Sequence, residues 1–85
     1  MATTRVQDGQ EVYILEHRLA RIAKRKHPYD MRNRVTCLMD LMSRERNNSV
    51  YSVVTHITTR WTGRITVVAP DGTRYAAHHT DVFRT

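Results

Sequence analysis

The chain of 85 residues has one cysteine, three glycines, two prolines and no long hydrophobic run. A lone Cys37 excludes an internal disulfide and the paired-cysteine spacings of structural zinc sites. No segment reaches membrane-spanning length, and the N-terminal "MATTRVQDG" lacks the apolar stretch of a signal peptide. We therefore expect a soluble cytoplasmic protein with Cys37 as a buried structural thiol.

Acidic residues are also scarce. Eight Asp and Glu stand against fourteen Lys and Arg, which gives a net charge of +6 and a pI near 10.3. A small basic domain is typical of proteins that bind nucleic acid, an anionic membrane surface or an acidic patch on another protein, and of these we expect no membrane partner. A chain this short builds one small core and has no room for a deep substrate cavity.

The first half of the chain has helical periodicity. "DGQE" has capping-box spacing, with Asp8 as N-cap and Glu11 three residues later, and it predicts a helix over residues 9–26 after a tail of residues 1–7. A second helix over residues 28–46 begins at Pro28 and ends before an asparagine pair. The apolar positions recur every three or four residues and predict a core-facing stripe on each helix. They are Val12, Leu15, Leu19, Ile22 and Ala23 in the first helix, and Met31, Val35, Leu38, Met39 and Met42 in the second.

After residue 48 the period becomes alternating. β-branched and aromatic residues predict strands over residues 49–61, 64–69 and 74–83, with "APDGT" as the tight turn between the last two. Tyr51, Val53, Ile57 and Trp61 share one face of the long first strand. The predicted fold is α+β, with two N-terminal helices packed on a three-stranded antiparallel meander in a single domain of residues 8–85.

The segment "TGRITVVAPDGTRYAAHHTDVF" resembles the strand–turn–strand segments of small SH3-like barrel modules. In those modules a glycine starts a strand, "DG" turns it, and a short final strand carries an acidic residue before an apolar pair. The resemblance covers about a quarter of the chain. It implies a binding module, with nucleic acid, ribosomes, polymerases or peptides as the partner classes.

The stretch "HRLARIAKRKHP" places a basic face opposite the apolar stripe of the first predicted helix. Cations near a helix C-terminus are stabilised by the helix dipole, and this explains Lys24, Arg25 and Lys26 without a binding role. Arg18 and Arg21 lie too far from that end. Ile14 falls on the same side as these two arginines, where an exposed apolar residue is consistent with a contact surface.

A second candidate is "RWTGR" at the end of the long predicted strand. An indole flanked by Arg60 and Arg64 can stack on a base while the arginines hold phosphates. The alternative is that Trp61 belongs to the core, because it shares strand parity with Tyr51 and Val53.

The five histidines do not form a metal motif. His78 and His79 are adjacent in a predicted strand and point to opposite faces, and His79 shares its face only with Asp81. No His–Glu-x-x-His spacing or acid/base pair accompanies them. We therefore expect no enzymatic activity, metal or cofactor.

The leading hypothesis is a small non-enzymatic regulator that binds nucleic acid through phosphate contacts. The alternative is a protein-binding modulator or inhibitor that docks on an acidic surface of a host complex, as many small phage proteins do. A homodimer through the edge of strand 49–61 is compatible with both hypotheses. The candidate binding residues are Ile14, His17, Arg18, Arg21, Lys24, Arg25, Arg60, Trp61, Arg64 and Arg74.

Overall fold

The structure, a computed structural model, describes residues 6–85 and is α+β, as predicted. It has five strands where the sequence predicted three. The strands are β1 (Glu11–Ile14), β2 (Tyr51–Thr55), β3 (Arg64–Val68), β4 (Arg74–His78) and β5 (Val82–Arg84). The helices are α1 (Leu19–Lys26), α2 (Met31–Arg46) and the single turn α3 (Thr59–Thr62), with 3-10 turns at Glu16–Arg18 and His79–Asp81.

All five strands form one antiparallel sheet in the order β4-β3-β2-β1-β5. The segment "TGRITVVAPDGTRYAAHHTDVF" supplies β3, the turn, β4 and the first two residues of β5. β2 lies at the centre, with β3 on one side and β1 on the other. β2 is therefore a central strand and does not have the free edge that the predicted homodimer would use.

The first predicted helix is wrong in its N-terminal part, where "EVYI" forms β1. Val12 and Ile14 are buried and alternate with the exposed Glu11 and the half-buried Tyr13, because β1 fits between β2 and β5. Ile14 is therefore a core residue and not an exposed neighbour of the arginines. The carboxylate of Asp8 caps no helix; it accepts a hydrogen bond from the Thr55 amide at 2.9 Å. Residues 1–5 of the predicted tail lie outside the described residues, and Val6 is buried.

The long predicted strand is also wrong in its second half. β2 ends at Thr55, and the Thr59 hydroxyl then accepts from the His56 amide and donates to the Arg64 carbonyl, which folds the chain into α3. Tyr51 and Val53 are buried as predicted, whereas Ile57 and Trp61 are exposed. The predicted strand 74–83 is likewise interrupted, by the 3-10 turn at residues 79–81.

The core lies between the inner face of the sheet and the two long helices. Helix α1 packs on β4 and α2 packs on α1. The buried apolar residues include Val12, Ile14, Leu19, Ile22, Ala23, Cys37, Leu41, Tyr51, Val53, Ile65, Val67, Tyr75 and Val82. Burial raises the pKa of the Cys37 thiol, as a structural cysteine requires.

The predicted core face of α2 is wrong. Met31, Val35, Met39 and Met42 are exposed, and Cys37 and Leu41 are buried in their place. Leu38 lies at the boundary and packs partly against the core.

A polar network fastens α2 to the β3–β4 hairpin. The Arg44 guanidinium donates to Asp40 at 3.0 Å and to Asp71 at 2.9 Å, and the Tyr75 hydroxyl donates to Asp40. The hydrogen bond from Arg44 holds the pKa of Asp71 well below its usual range. The hydrogen bonds from Tyr75 and then Arg44 lower the pKa of Asp40.

We expect the Arg44 network to make stability depend on pH in acid. Because the pKa values of Asp40 and Asp71 are lower in the folded protein, their stabilisation is complete above about pH 4 and is lost as the pH falls through the folded values. Arg44→Gln should lose less of its free energy of unfolding between pH 5 and pH 2 than the native chain. Urea denaturation followed by circular dichroism checks this, and equal losses in the two chains would contradict it.

Candidate functional site

Asp81 is the only buried charged residue among residues 6–85, and two of the predicted binding arginines point at it. Arg18 Nε lies 3.8 Å from Asp81 Oδ1, and Arg25 Nη1 lies 3.5 Å from Asp81 Oδ2. Oδ2 also accepts a hydrogen bond from the His78 amide at 2.9 Å. A buried carboxylate is costly unless it is paired, so Arg18 and Arg25 serve the fold first.

Arg25 and Lys26 have a second structural role at the edge of the sheet. The Arg25 guanidinium donates to the Ala76 carbonyl at 3.0 Å, and the Lys26 ammonium donates to the Arg74 carbonyl at 3.4 Å. The same ammonium lies 4.7 Å from the centre of the Tyr75 ring. Both side chains therefore cover the outer carbonyls of β4, which is an edge strand.

Three of the predicted basic residues remain on the outer surface beside these. His17, Arg21 and Lys24 are exposed and follow one another at intervals of four and three residues. They line one side of the first helical segment, by which we mean the 3-10 turn Glu16–Arg18 together with α1. Among the described residues, Arg21 and Lys24 make no ion pair or side-chain hydrogen bond. They are the part of the predicted basic face that the fold does not use.

The predicted aromatic site at "RWTGR" lies on α3. The Trp61 side chain is 80% exposed, which rules out the core role suggested by strand parity. Arg60 and Arg64 are exposed on either side of it in sequence. Ile57, 95% exposed at the start of the same loop, is a surface residue that the strand prediction had placed with the core.

Gly63 connects α3 to β3 and packs against two histidines. It ends α3 in the left-handed conformation, with φ of +73°, and it is buried beneath the rings of His78 and His79. Its carbonyl accepts from the His79 amide at 2.9 Å. The two rings pack with centroids 4.5 Å apart. α3 is thus braced against the turn that contains Asp81.

This turn contacts elements of both predicted sites. Asp81 pairs with Arg18 and Arg25 of the first helical segment, while His78 and His79 pack next to Gly63, the C-cap of α3. Arg64 lies next to His78 across the β3–β4 ladder. Six exposed residues of the two predicted sites are grouped under the name basic–aromatic surface: His17, Arg21 and Lys24 on the first helical segment, and Arg60, Trp61 and Arg64 at α3 and the start of β3.

Arg74 does not belong to the basic–aromatic surface. It pairs with Val68 at the opposite end of the hairpin. Arg74 and His78 are four positions apart along β4, or about 13 Å.

Asp81 is the residue of this region that the sequence left without a role. The signal was present in "HHTD", because the His78 side chain accepts from the Thr80 amide while the Asp81 side chain accepts from the His78 amide, which is the reciprocal pattern of a capping box.

The arrangement offers contacts for an anion and for a flat apolar group. Within residues 6–85 no group of three His, Cys, Asp or Glu side chains is placed to hold a metal ion. Over the same residues, every helix is too short or too polar to cross a bilayer. No family model matches the chain, and neither a curated protein nor a solved structure gives a match.

We expect Gly63→Ala to destabilise the fold by about 2–4 kcal/mol. A Cβ at this position would lie 2.3 Å from His78 Nε2 and would also strain a positive φ. The control is Gly72→Ala in the β3–β4 turn, which has a φ of +93° but open space around it, and which should cost about 1 kcal/mol. Equal losses in urea denaturation would show that Gly63 has no packing role.

Asp81→Asn should lower the free energy of unfolding by roughly 2–3 kcal/mol, because it leaves Arg18 and Arg25 without a counter-charge. The control is Asp30→Asn at the exposed N-cap of α2, where asparagine is an equally good cap and the change should be close to zero. Thermal and urea unfolding measure both variants. A loss below about 0.5 kcal/mol in Asp81→Asn would contradict the anchoring role.

Proposed function

We propose that this protein binds single-stranded nucleic acid through the basic–aromatic surface, without enzymatic activity. Trp61 stacks on a base, and Arg21, Lys24 and Arg64 contact phosphates. The observation that carries the proposal is the indole of Trp61, exposed on a braced turn between two arginines.

The exposure of Trp61 has no explanation in folding. Tryptophan is highly buried on average, and leaving its large apolar surface in water gives up hydrophobic stabilisation. The chain nevertheless holds this residue on a defined backbone, with Thr59 hydrogen-bonded at both ends of the turn and Gly63 packed beneath. An exposed ring on a fixed backbone is a suitable stacking platform, because the backbone does not have to be ordered when a base binds. Stacking contributes about 1–3 kcal/mol per base.

The cations supply the second part of the proposed contact. Along the helical segment, His17 and Lys24 are separated by about 10 Å, and Arg21 lies between them. Their side chains are available to phosphate oxygens, in contrast to Arg18 and Arg25, which neutralise Asp81. Single strands are favoured over duplex because a base must be unstacked before an indole can cover its face.

For the protein-binding alternative, the structure removes one supporting observation and adds another. Ile14, the apolar residue expected among the arginines, is in the core. In its place the structure exposes an apolar face on α2, which lies on a different element from Trp61.

The chain's only tryptophan gives a direct measurement of the proposed stacking. Titration with a single-stranded oligonucleotide should quench the fluorescence of Trp61, and raising the salt concentration should reverse the quenching. A duplex of the same sequence should bind more weakly. Absence of quenching by DNA and RNA strands at low salt would reject the proposal.

Variants assign the two parts of the contact by fluorescence anisotropy with a labelled strand. Trp61→Ala should weaken binding by about 5- to 150-fold, and Arg21→Glu with Lys24→Glu should weaken it and reduce its salt dependence. The matched control is Arg32→Glu with Arg46→Glu on α2, which changes the net charge equally. If the control pair weakens binding as much, the contact is a property of net charge and not of this surface.

A further inference from the structure

The outward face of α2 is apolar and exposed. The exposed fractions are 60% for Met31, 50% for Val35, 65% for Met39 and 46% for Met42. Tyr29, 97% exposed, extends the face past the N-terminus of the helix. The part of α2 that contacts the core is a different one, formed by Cys37 and Leu41. The name methionine face is used for the four exposed residues Met31, Val35, Met39 and Met42, together with Leu38 at their margin.

The methionine face is continuous. At about 100° per residue, Met31, Val35, Leu38, Met39 and Met42 fall within an arc of about 100°. The centre of this arc is about 130° around the axis from that of Cys37 and Leu41. Along the axis it extends from residue 31 to residue 42, or about 16 Å, which is three helical turns.

The fold does not require this surface. Single exposed apolar residues are ordinary, but a contiguous apolar stripe along a helix is typical of an interaction site. Three of the four methionines of the chain lie in it. Methionine is flexible and polarisable, and it is frequent on surfaces that accept apolar side chains of varied shape.

The charges at its margins indicate the chemistry of the partner. Arg32 and Arg46 lie on the Met39 side, and Arg34 and Glu45 lie on the other. The Arg34 guanidinium donates to the carbonyls of His27 and Pro28. The apolar stripe is thus bordered by three cations and one anion, on a chain whose net charge is +6. A partner with carboxylates beside its own apolar residues is complementary to this border.

We propose that the methionine face binds an amphipathic helix of another protein, one whose apolar stripe is flanked by Asp or Glu. A helical partner matches the three-turn length and the ridge shape of α2. A second copy of this chain is a poorer occupant, because antiparallel packing would bring the Arg32 and Arg46 margin of one α2 against the same margin of the other. This proposal does not depend on nucleic-acid binding.

The experiment uses two synthetic 18-residue helical peptides with the same leucine stripe. One has glutamates beside the leucines and the other has lysines. The full-length protein is labelled with 13C at the methionine methyl groups, and the Met31, Met39 and Met42 signals are assigned by single substitutions to leucine. We expect the glutamate peptide to shift these three signals, with the lysine peptide binding at least about tenfold more weakly.

Two pairs of variants separate apolar contact from charge. Val35→Glu with Met39→Glu changes exposed positions only, so the fold should be retained, and the shifts caused by the glutamate peptide should disappear. Arg32→Glu with Arg46→Glu should reverse the preference between the peptides. Circular dichroism confirms that each variant is folded.

The proposal is overturned if the glutamate peptide leaves the three methyl signals unmoved. It is also overturned if both peptides bind equally, which would show unselective apolar adhesion. Sedimentation of the free protein as a dimer, converted to monomer by Val35→Glu with Met39→Glu, would instead assign the methionine face to a second copy.

Discussion

The fold depends on a carboxylate that has been removed from water. Asp81 is fully buried in the turn between β4 and β5, where it accepts a hydrogen bond from the His78 amide and attracts Arg18 and Arg25 across the gap to the first helical segment. Neither arginine is fully buried, so the cost of desolvating the pair falls mainly on the carboxylate. The backbone adds a further tie, because the Leu15 amide donates to the Asp81 carbonyl at 2.9 Å. Asp81 therefore sets the position of α1 relative to the sheet.

The sequence predicted elements well wherever one period persisted over several turns or a turn had specific chemistry. α2 ends at Arg46 as predicted, with Asn48 at a positive φ after it, and the "APDGT" turn joins β3 to β4. It failed where a short strand carried a pattern that also suits a helix. Val12 is compatible with both a period of two and a period of 3.6, and only the pairing of β1 with β2 and β5, distant in sequence, decides between them.

The candidate site shows a similar division. The exposed cations of the first helical segment were predictable because charge segregation on a helix is visible in the sequence. Strand parity predicts a buried Trp61, and this is wrong, because the Thr59 hydrogen bonds that end β2 early leave no trace in the alternation of apolar residues. The core-facing side of α2 was mispredicted for a different reason: most of the predicted core stripe is exposed, and Cys37 and Leu41 are buried in its place. Hydrophobic periodicity marks every apolar face and does not distinguish one that meets the core from one that meets another molecule.

Arg25 and Lys26 cover the outer edge of β4, and their position early in the chain affects folding during synthesis. An edge strand with free carbonyls is a template on which another chain can add a strand. Lys26 precedes Arg74, whose carbonyl it binds, by 48 residues. During synthesis the helix that carries the protecting side chains therefore leaves the ribosome before the edge that needs them. β4 can be covered as soon as it pairs with β3, which shortens the time in which neighbouring nascent chains could join their sheets.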